Sequence, residues 1–86
     1  MAAREIVVLS GVRTAIGDYG SALKDAPPSE LAAQVIREAV KRAGVDPKQV
    51  GAMALGNVIH TEAKDMYISR VAALKAGLPQ ESTALT

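Results

Sequence analysis

Apolar residues fall in short blocks separated by polar stretches marked with glycine and proline. Ile6-Val7-Val8-Leu9 is fully apolar and mostly β-branched. Its length and branching predict a strand over residues 5–10, buried on both faces as in a parallel sheet. Residues 11–28 hold Gly11, Gly17, Gly20, Pro27 and Pro28 among polar positions and read as one long loop. Long ordered loops tend to be functional or interfacial. Over residues 29–43, Leu31, Val35, Ile36, Ala39, Val40 and Ala43 recur at helical spacing, while Glu30, Gln34, Arg37, Glu38, Lys41 and Arg42 take the other side. That stripe predicts an amphipathic helix, with Ser29 as N-cap and Gly44 as the left-handed stop. Glu38 and Arg42 stand at i,i+4 in the favourable order, worth about 0.3 kcal/mol.

Asp46-Pro47-Lys48-Gln49 predicts a short capped turn, with proline in its first helical position. A second apolar run over residues 52–59 follows Gly51 and contains Gly56, which favours a strand over a helix. Residues 65–76 predict a second helix, apolar on several sides through Tyr67, Ile68, Val71, Ala72 and Leu74, and therefore largely buried. Gly77-Leu78-Pro79 ends it, and residues 82–86 begin another β-like segment. The order β-α-β-α-β predicts an α/β fold of parallel strands joined by helical crossovers. Two or three strands with two helices make an unfinished layer whose edge exposes backbone hydrogen-bonding groups.

Composition sharpens this picture. The chain has 86 residues, no Cys, Trp or Phe, and two tyrosines, yet 49% of it is hydrophobic. A domain this small hides only about 60–65% of the surface of its unfolded chain. Sixteen residues are alanine, so the apolar mass lacks bulk, as expected for part of a larger core. The net charge is +1, without the basic cluster typical of nucleic-acid modules, so no nucleic-acid partner is expected. No unbroken apolar run exceeds four residues, as at Ile6 to Leu9, far short of the ~20 residues of a membrane helix, so no membrane partner is expected either. The N-terminus carries no long apolar stretch of a signal peptide, and the default expectation is a cytoplasmic protein. Without cysteine, neither a disulfide framework nor a thiolate metal site can form from these residues.

Few residues carry chemistry by themselves. Gly17-Asp18-Tyr19-Gly20 fits neither the dinucleotide nor the phosphate-loop spacing, and the first helix begins too far along the chain to cradle a phosphate in the same turn. Asp18 and Asp25, like Glu62 and Asp65, read as solvated loop acids. His60 has no histidine or cysteine at ligand spacing and reads as a polar loop residue, or as a donor in a pocket or interface. Arg13, in the loop after the first strand, either ties loop carbonyls together through its fork of donors or binds an anion. Asn57 closes the second apolar run, either as a strand-end turn or as a polar group at the carboxyl edge of a parallel sheet, where α/β sites collect. Ser10 lies at the same kind of edge, with no base beside it in sequence.

Residues 5–17, Glu-Ile-Val-Val-Leu-Ser-Gly-Val-Arg-Thr-Ala-Ile-Gly, resemble the opening strand and R-T-[AP]-[IV]-G segment of the thiolases. Ser29-Glu30-Leu31 resembles their first helix start, and Gly56-Asn57-Val58 their G-[NQ]-V at the end of strand two. Asp65-Met66-Tyr67 and residues 70–79, Arg-Val-Ala-Ala-Leu-Lys-Ala-Gly-Leu-Pro, resemble their second helix and its exit. The likeness runs through essentially the whole chain and is nearest to bacterial acetyl-CoA acetyltransferases and β-ketothiolases. Departures stand at Gly20-Ser21, Ala63-Lys64 and Thr83, where family members often carry two glycines, Pro-Arg and proline.

The resemblance implies the N-terminal part of the layered thiolase fold, an incomplete half-domain over residues 1–86. It implies a complete enzyme that condenses acetyl-CoA units, or cleaves 3-ketoacyl-CoA with free CoA, through a cysteine acyl-enzyme. Its substrate is a coenzyme A thioester, and no cofactor is expected to be bound by these residues. The family's nucleophile lies in an N-[RQ]-[LM]-C-[GA]-S-G motif, expected a few residues beyond Thr86. No catalytic residue is therefore assigned within the chain, which by itself is expected to be inactive. The expected partners are the remainder of the polypeptide and further copies in a homodimer or tetramer. Residues 59–66 are the candidate for dimer contacts, and Arg13, Asn57, His60 and Tyr67 are the structural or interface candidates. Two other readings stand beside this one: a stand-alone, non-catalytic α/β interaction domain, and part of a ketoacyl synthase or hydroxymethylglutaryl-CoA synthase relative.

Overall fold

A computed structural model describes residues 4–86. Its longest element is helix α1, Pro28–Ala43. The N-cap is Pro27 rather than Ser29, and Pro28 takes the first helical position, where its missing N–H costs nothing. Ser29 instead lies fully buried in the first turn, its Oγ without a partner. At the other end Gly44 adopts φ 70° and donates its N–H to the Lys41 carbonyl, a left-handed cap that a β-carbon would strain. A short 3-10 turn, Pro47–Gln49, follows, with the Asp46 carboxylate accepting from the Lys48 amide at 3.0 Å.

Strand β1, Ala52–Ala54, pairs in parallel with β2, Thr83–Leu85, in the register Ala52 to Thr83, Met53 to Ala84 and Ala54 to Leu85. The ladder continues outward through Thr83 N–H to the Gly51 carbonyl at 3.1 Å and Leu55 N–H to the Leu85 carbonyl at 2.9 Å. Between the strands lie a 3-10 turn, Ala63–Tyr67, and helix α2, Ile68–Lys75. The chain leaves α2 through Gly77 at φ 89°, and the Leu78 N–H returns to the Ala73 carbonyl.

The core sits where α2 meets α1 and β2. Ala33 of α1 and Ile68, Ala72 and Ala73 of α2 are buried, with Ala76 and Leu78 closing the end. Small side chains at Ala33, Ala72 and Ala73 let the two helices approach closely. Two polar ties cross the same seam. The Arg37 guanidinium donates to the Lys75 carbonyl at 2.9 Å, satisfying a last-turn carbonyl of α2, and the Lys75 ammonium meets the Glu30 carboxylate.

Four expectations are corrected. Residues 5–10 form no strand. Ile6 and Val8 are each 92% exposed, and residues 4–27 contain neither helix nor strand. A strand exists only through ladder bonds to a neighbour, and within the described residues β1 and β2 pair only with each other. The second strand stops at Ala54 rather than 59, with a last ladder bond at Leu55; Val58 beyond is 95% exposed. The second helix is not one helix over 65–76: its start is wound as a 3-10 turn, and α2 proper begins at Ile68. Nor is it buried over most of its girth. Tyr67 is 71% exposed and Leu74 is exposed, because only the face of Ile68, Ser69, Ala72 and Ala73 meets other elements. The radius of gyration, 14.4 Å, exceeds the ~12 Å of a compact chain this long, in keeping with these uncovered segments.

Candidate functional site

The loop from Gly56 to Tyr67 joins β1 to α2 and carries three of the four candidate residues. Asn57 is half-buried, and its Nδ2 donates to the Asp65 carbonyl at 3.4 Å. His60 is exposed, and Tyr67 closes the 3-10 turn with its ring in solvent. All three therefore lie on one connection at the carboxyl end of β1. Around them, Val58, Ile59 and Met66 are also exposed, an unusual density of apolar surface for a loop.

The residue that organises this loop is Asp65, which sequence reasoning placed in solvent with Glu62. That reading is corrected: Asp65 is 0% exposed. Its Oδ2 accepts from the Thr61 Oγ1 at 2.7 Å, the Thr61 N–H at 2.8 Å and the Glu62 N–H at 3.3 Å. Glu62 and Asp65 also form a capping box at the start of the 3-10 turn. The Thr61 hydroxyl, followed by the Thr61 amide, holds the Asp65 carboxyl below the usual aspartate range. Burial opposes that shift, while the Glu62 amide and the charge of His60 reinforce it. The legible signal was the spacing T-E-x-x-D, an acid three residues after a cap, rather than the acid count.

Arg13 stands apart. Its Nη1 donates to the Thr14 carbonyl at 3.0 Å, an exposed local tie. It lines a cleft of about 520 Å³ against α1, with Leu31, Gln34, Arg37, Glu38 and Arg42. Two of that cleft's cations are already engaged, Arg37 with the Lys75 carbonyl and Arg42 with Glu38 at 2.9 Å. No hydrogen bond within the described residues joins Arg13 to Asn57, His60 or Tyr67. Ser10, placed by sequence at a sheet edge, instead donates its hydroxyl to the Ala39 carbonyl of α1 at 2.7 Å.

Two further polar residues escaped the sequence reading. Arg70 reaches from α2 to the approach of β2, donating Nη2 to the Gln80 carbonyl at 2.8 Å and Nη1 to the Ser82 carbonyl at 3.1 Å. Thr86, just past β2, donates its hydroxyl to Ser69 Oγ at 2.9 Å and accepts the Ser69 N–H at 3.2 Å. Both fasten β2 to α2. Among the described residues there is no group of three or more His, Cys, Asp or Glu able to hold a metal ion. The arrangement positions a strand end and a loop.

A family model described as the N-terminal domain of thiolase matches residues 6–86. The Cupriavidus necator protein named beta-ketothiolase is 55% identical over 83 residues, covering 96% of this chain and 21% of that protein. A Clostridioides difficile protein named acetyl-CoA acetyltransferase is 40% identical over 83 residues, covering 96% of this chain and 77% of that one. The crystal structure of the Bacillus anthracis acetyl-CoA acetyltransferase superposes with a TM-score of 0.85 at 44% identity, over 93% of this chain and 20% of that one. The chain thus spans about a fifth of the length of the Cupriavidus and Bacillus relatives. These matches favour the thiolase reading over a synthase relative or a stand-alone interaction domain. The chain belongs to the thiolase family, whose N-terminal domain it matches along nearly its whole length.

Proposed function

We propose that these residues are the N-terminal scaffold of a thiolase that condenses acetyl-CoA units or cleaves 3-ketoacyl-CoA with CoA. The observation that carries this reading is the agreement in sequence and backbone over 93% of the chain with an acetyl-CoA acetyltransferase of known structure. In this reading a cysteine thiolate beyond Thr86 attacks the acyl-CoA carbonyl. The carbon–sulfur bond to CoA breaks, and CoA leaves as its thiolate. A second cysteine takes the α-proton of acetyl-CoA, and the resulting enolate attacks the enzyme thioester, releasing the first cysteine and forming 3-ketoacyl-CoA.

This chain's part is placement. β2 leads toward the nucleophile, and its end is held on α2 through Arg70 and Thr86. Reactions of this kind lose much of their rate when a reacting atom shifts by about 1 Å, so a strand fixed at both ends serves the chemistry without touching substrate. The 59–66 segment supplies contacts to a second copy in a homodimer or tetramer, with His60 inside it and Tyr67 just beyond it. The protein is read as cytoplasmic; no described helix is long and apolar enough to cross a membrane.

The test is acyl-enzyme trapping. Full-length polypeptide carrying these residues is incubated with acetyl-CoA, quenched in acid and mapped by peptide mass. An acetyl adduct on a cysteine outside residues 1–86 is expected; no adduct, or one on residues 1–86, would refute the scaffold reading. Replacing His60 and Tyr67 by Ala is expected to reduce oligomer size or turnover, and unchanged values for both would remove the interface assignment.

A further inference from the structure

Helix α2 begins without a side-chain cap of its own. Its N-cap residue, Tyr67, makes no capping hydrogen bond. The first N–H groups of a helix have no intrahelical acceptor and need partners from elsewhere. Ser69 stands second in α2 and is 1% exposed, so its N–H is shut away from solvent. The carbonyl four residues back, on Asp65, accepts Asn57 Nδ2.

The partner comes from beyond β2. Thr86, 17 residues further along the chain, accepts the Ser69 N–H on its Oγ1 at 3.2 Å. The same hydroxyl donates its proton to Ser69 Oγ at 2.9 Å, so it both accepts and donates at one residue. An N-cap side chain bonds the amide of the second or third helical residue. Thr86 does this for α2 from a different element. The topology brings them together. β1 and β2 run parallel, so the helix that crosses between them starts at the edge where both strands end. The bond from the Leu55 N–H to the Leu85 carbonyl marks that edge. One hydroxyl thus joins the exit of β2 to the start of α2.

We infer that the Thr86 hydroxyl is the missing N-cap of α2, and that Thr86 is thereby a positioning residue that fixes the path of the chain as it leaves β2. The cap stands on the hydrogen bonds alone. Its effect on turnover rests on the thiolase reading above, which puts the nucleophile on the chain beyond Thr86.

The test is hydrogen exchange beside steady-state kinetics, both on the full-length polypeptide. Thr86→Val keeps the side-chain shape and removes the hydroxyl, and protection of the Ser69 amide is expected to fall by at least about fivefold. The Ala76 and Leu78 amides at the other end of α2 should keep theirs, which reports that the helix is intact. Thr86→Ser restores the hydroxyl and should return Ser69 protection to within about twofold of wild type. In thiolysis of acetoacetyl-CoA, Thr86→Val is expected to lower kcat by at least about tenfold with KM within about twofold, and Thr86→Ser to recover kcat. Should Thr86→Val not fold, Thr86→Ala removes the same hydroxyl with less bulk and carries the same expectations. Retained Ser69 protection would overturn the cap. Lost protection with unchanged kcat would overturn the positioning role and leave the thiolase reading standing. A folded wild-type polypeptide without thiolysis would overturn the thiolase reading and the kinetic clause together, while Ser69 protection still decides the cap.

Discussion

Replacing Arg70 by Ala removes a two-point tie between α2 and the approach to β2. The structure sets the size of the effect. The bond from Nη1 to the Ser82 carbonyl, at 3.1 Å, is part-buried, and that from Nη2 to the Gln80 carbonyl, at 2.8 Å, is exposed. A charge-assisted bond in a part-buried site contributes about 1.5 kcal/mol, and its exposed neighbour about 0.5, giving a loss of ~2 kcal/mol. Ser82 is buried and also bonds Pro79 through both its N–H and its hydroxyl, so the freed carbonyl belongs to a turn that is otherwise held. The local consequence is a looser β2. Protection of the Thr83 and Leu55 amides, which carry the outer rungs of the ladder, should fall by about 30-fold, the equivalent of ~2 kcal/mol. Arg70→Lys offers one ammonium in place of a planar fork and should recover about half of the loss. Urea unfolding of the full-length polypeptide gives the overall change, and hydrogen exchange gives the local one. A change below ~0.5 kcal/mol, with both amides still protected, would show that the guanidinium fastens nothing.

Two further perturbations test the same framework. Ala33 is fully buried on the side of α1 that meets α2, so Ala33→Leu should overpack the seam and cost about 1–3 kcal/mol, read as a lower thermal midpoint; an unchanged midpoint would mean that the helices are not in close contact. Acid should also destabilise the fold. Asp65 and Glu30 both titrate below their ordinary values in the folded chain, Asp65 through the Thr61 hydroxyl first and Glu30 through the Lys75 ammonium first. The unfolded chain therefore binds more protons, the stabilisation is complete above the unfolded values near pH ~4, and it is lost as pH falls through the folded ones. Urea midpoints measured from pH 6 downward should fall below that point, and Asp65→Asn should flatten the decline; a midpoint constant to pH 2.5 would contradict this.

Helix α1 was legible because its information is local, a stripe at helical spacing and Gly44 at its end, while its start was read at Ser29 rather than at Pro28. The capped turn at Asp46 was legible for the same reason. Residues 5–10 misled because β-branched composition reports what a segment suits, whereas a strand requires a neighbour. No ladder bond reaches Ile6–Leu9 from the described strands. Tyr67 and Leu74 misled in the same way: apolar residues around a helix predict burial only where something covers each face. At the candidate site, Asn57 was read at a strand end, His60 in a loop and Tyr67 inside a helix, whereas all three lie on the connection between β1 and α2. Arg13 proved to lie apart from them, at the cleft beside α1. Asp65 and Arg70 were missed because their partners are backbone groups, which a sequence does not display. The likeness to thiolases, by contrast, was carried by residues in order over the whole chain, and the family model matches the same span.

The measurement that bears most directly on the account is thiolysis of acetoacetyl-CoA by free CoA, followed as release of acetyl-CoA. Turnover is expected from the full-length polypeptide carrying these residues and none from residues 1–86 alone, which hold no cysteine. Turnover by residues 1–86, or its absence from a folded full-length polypeptide, would contradict it.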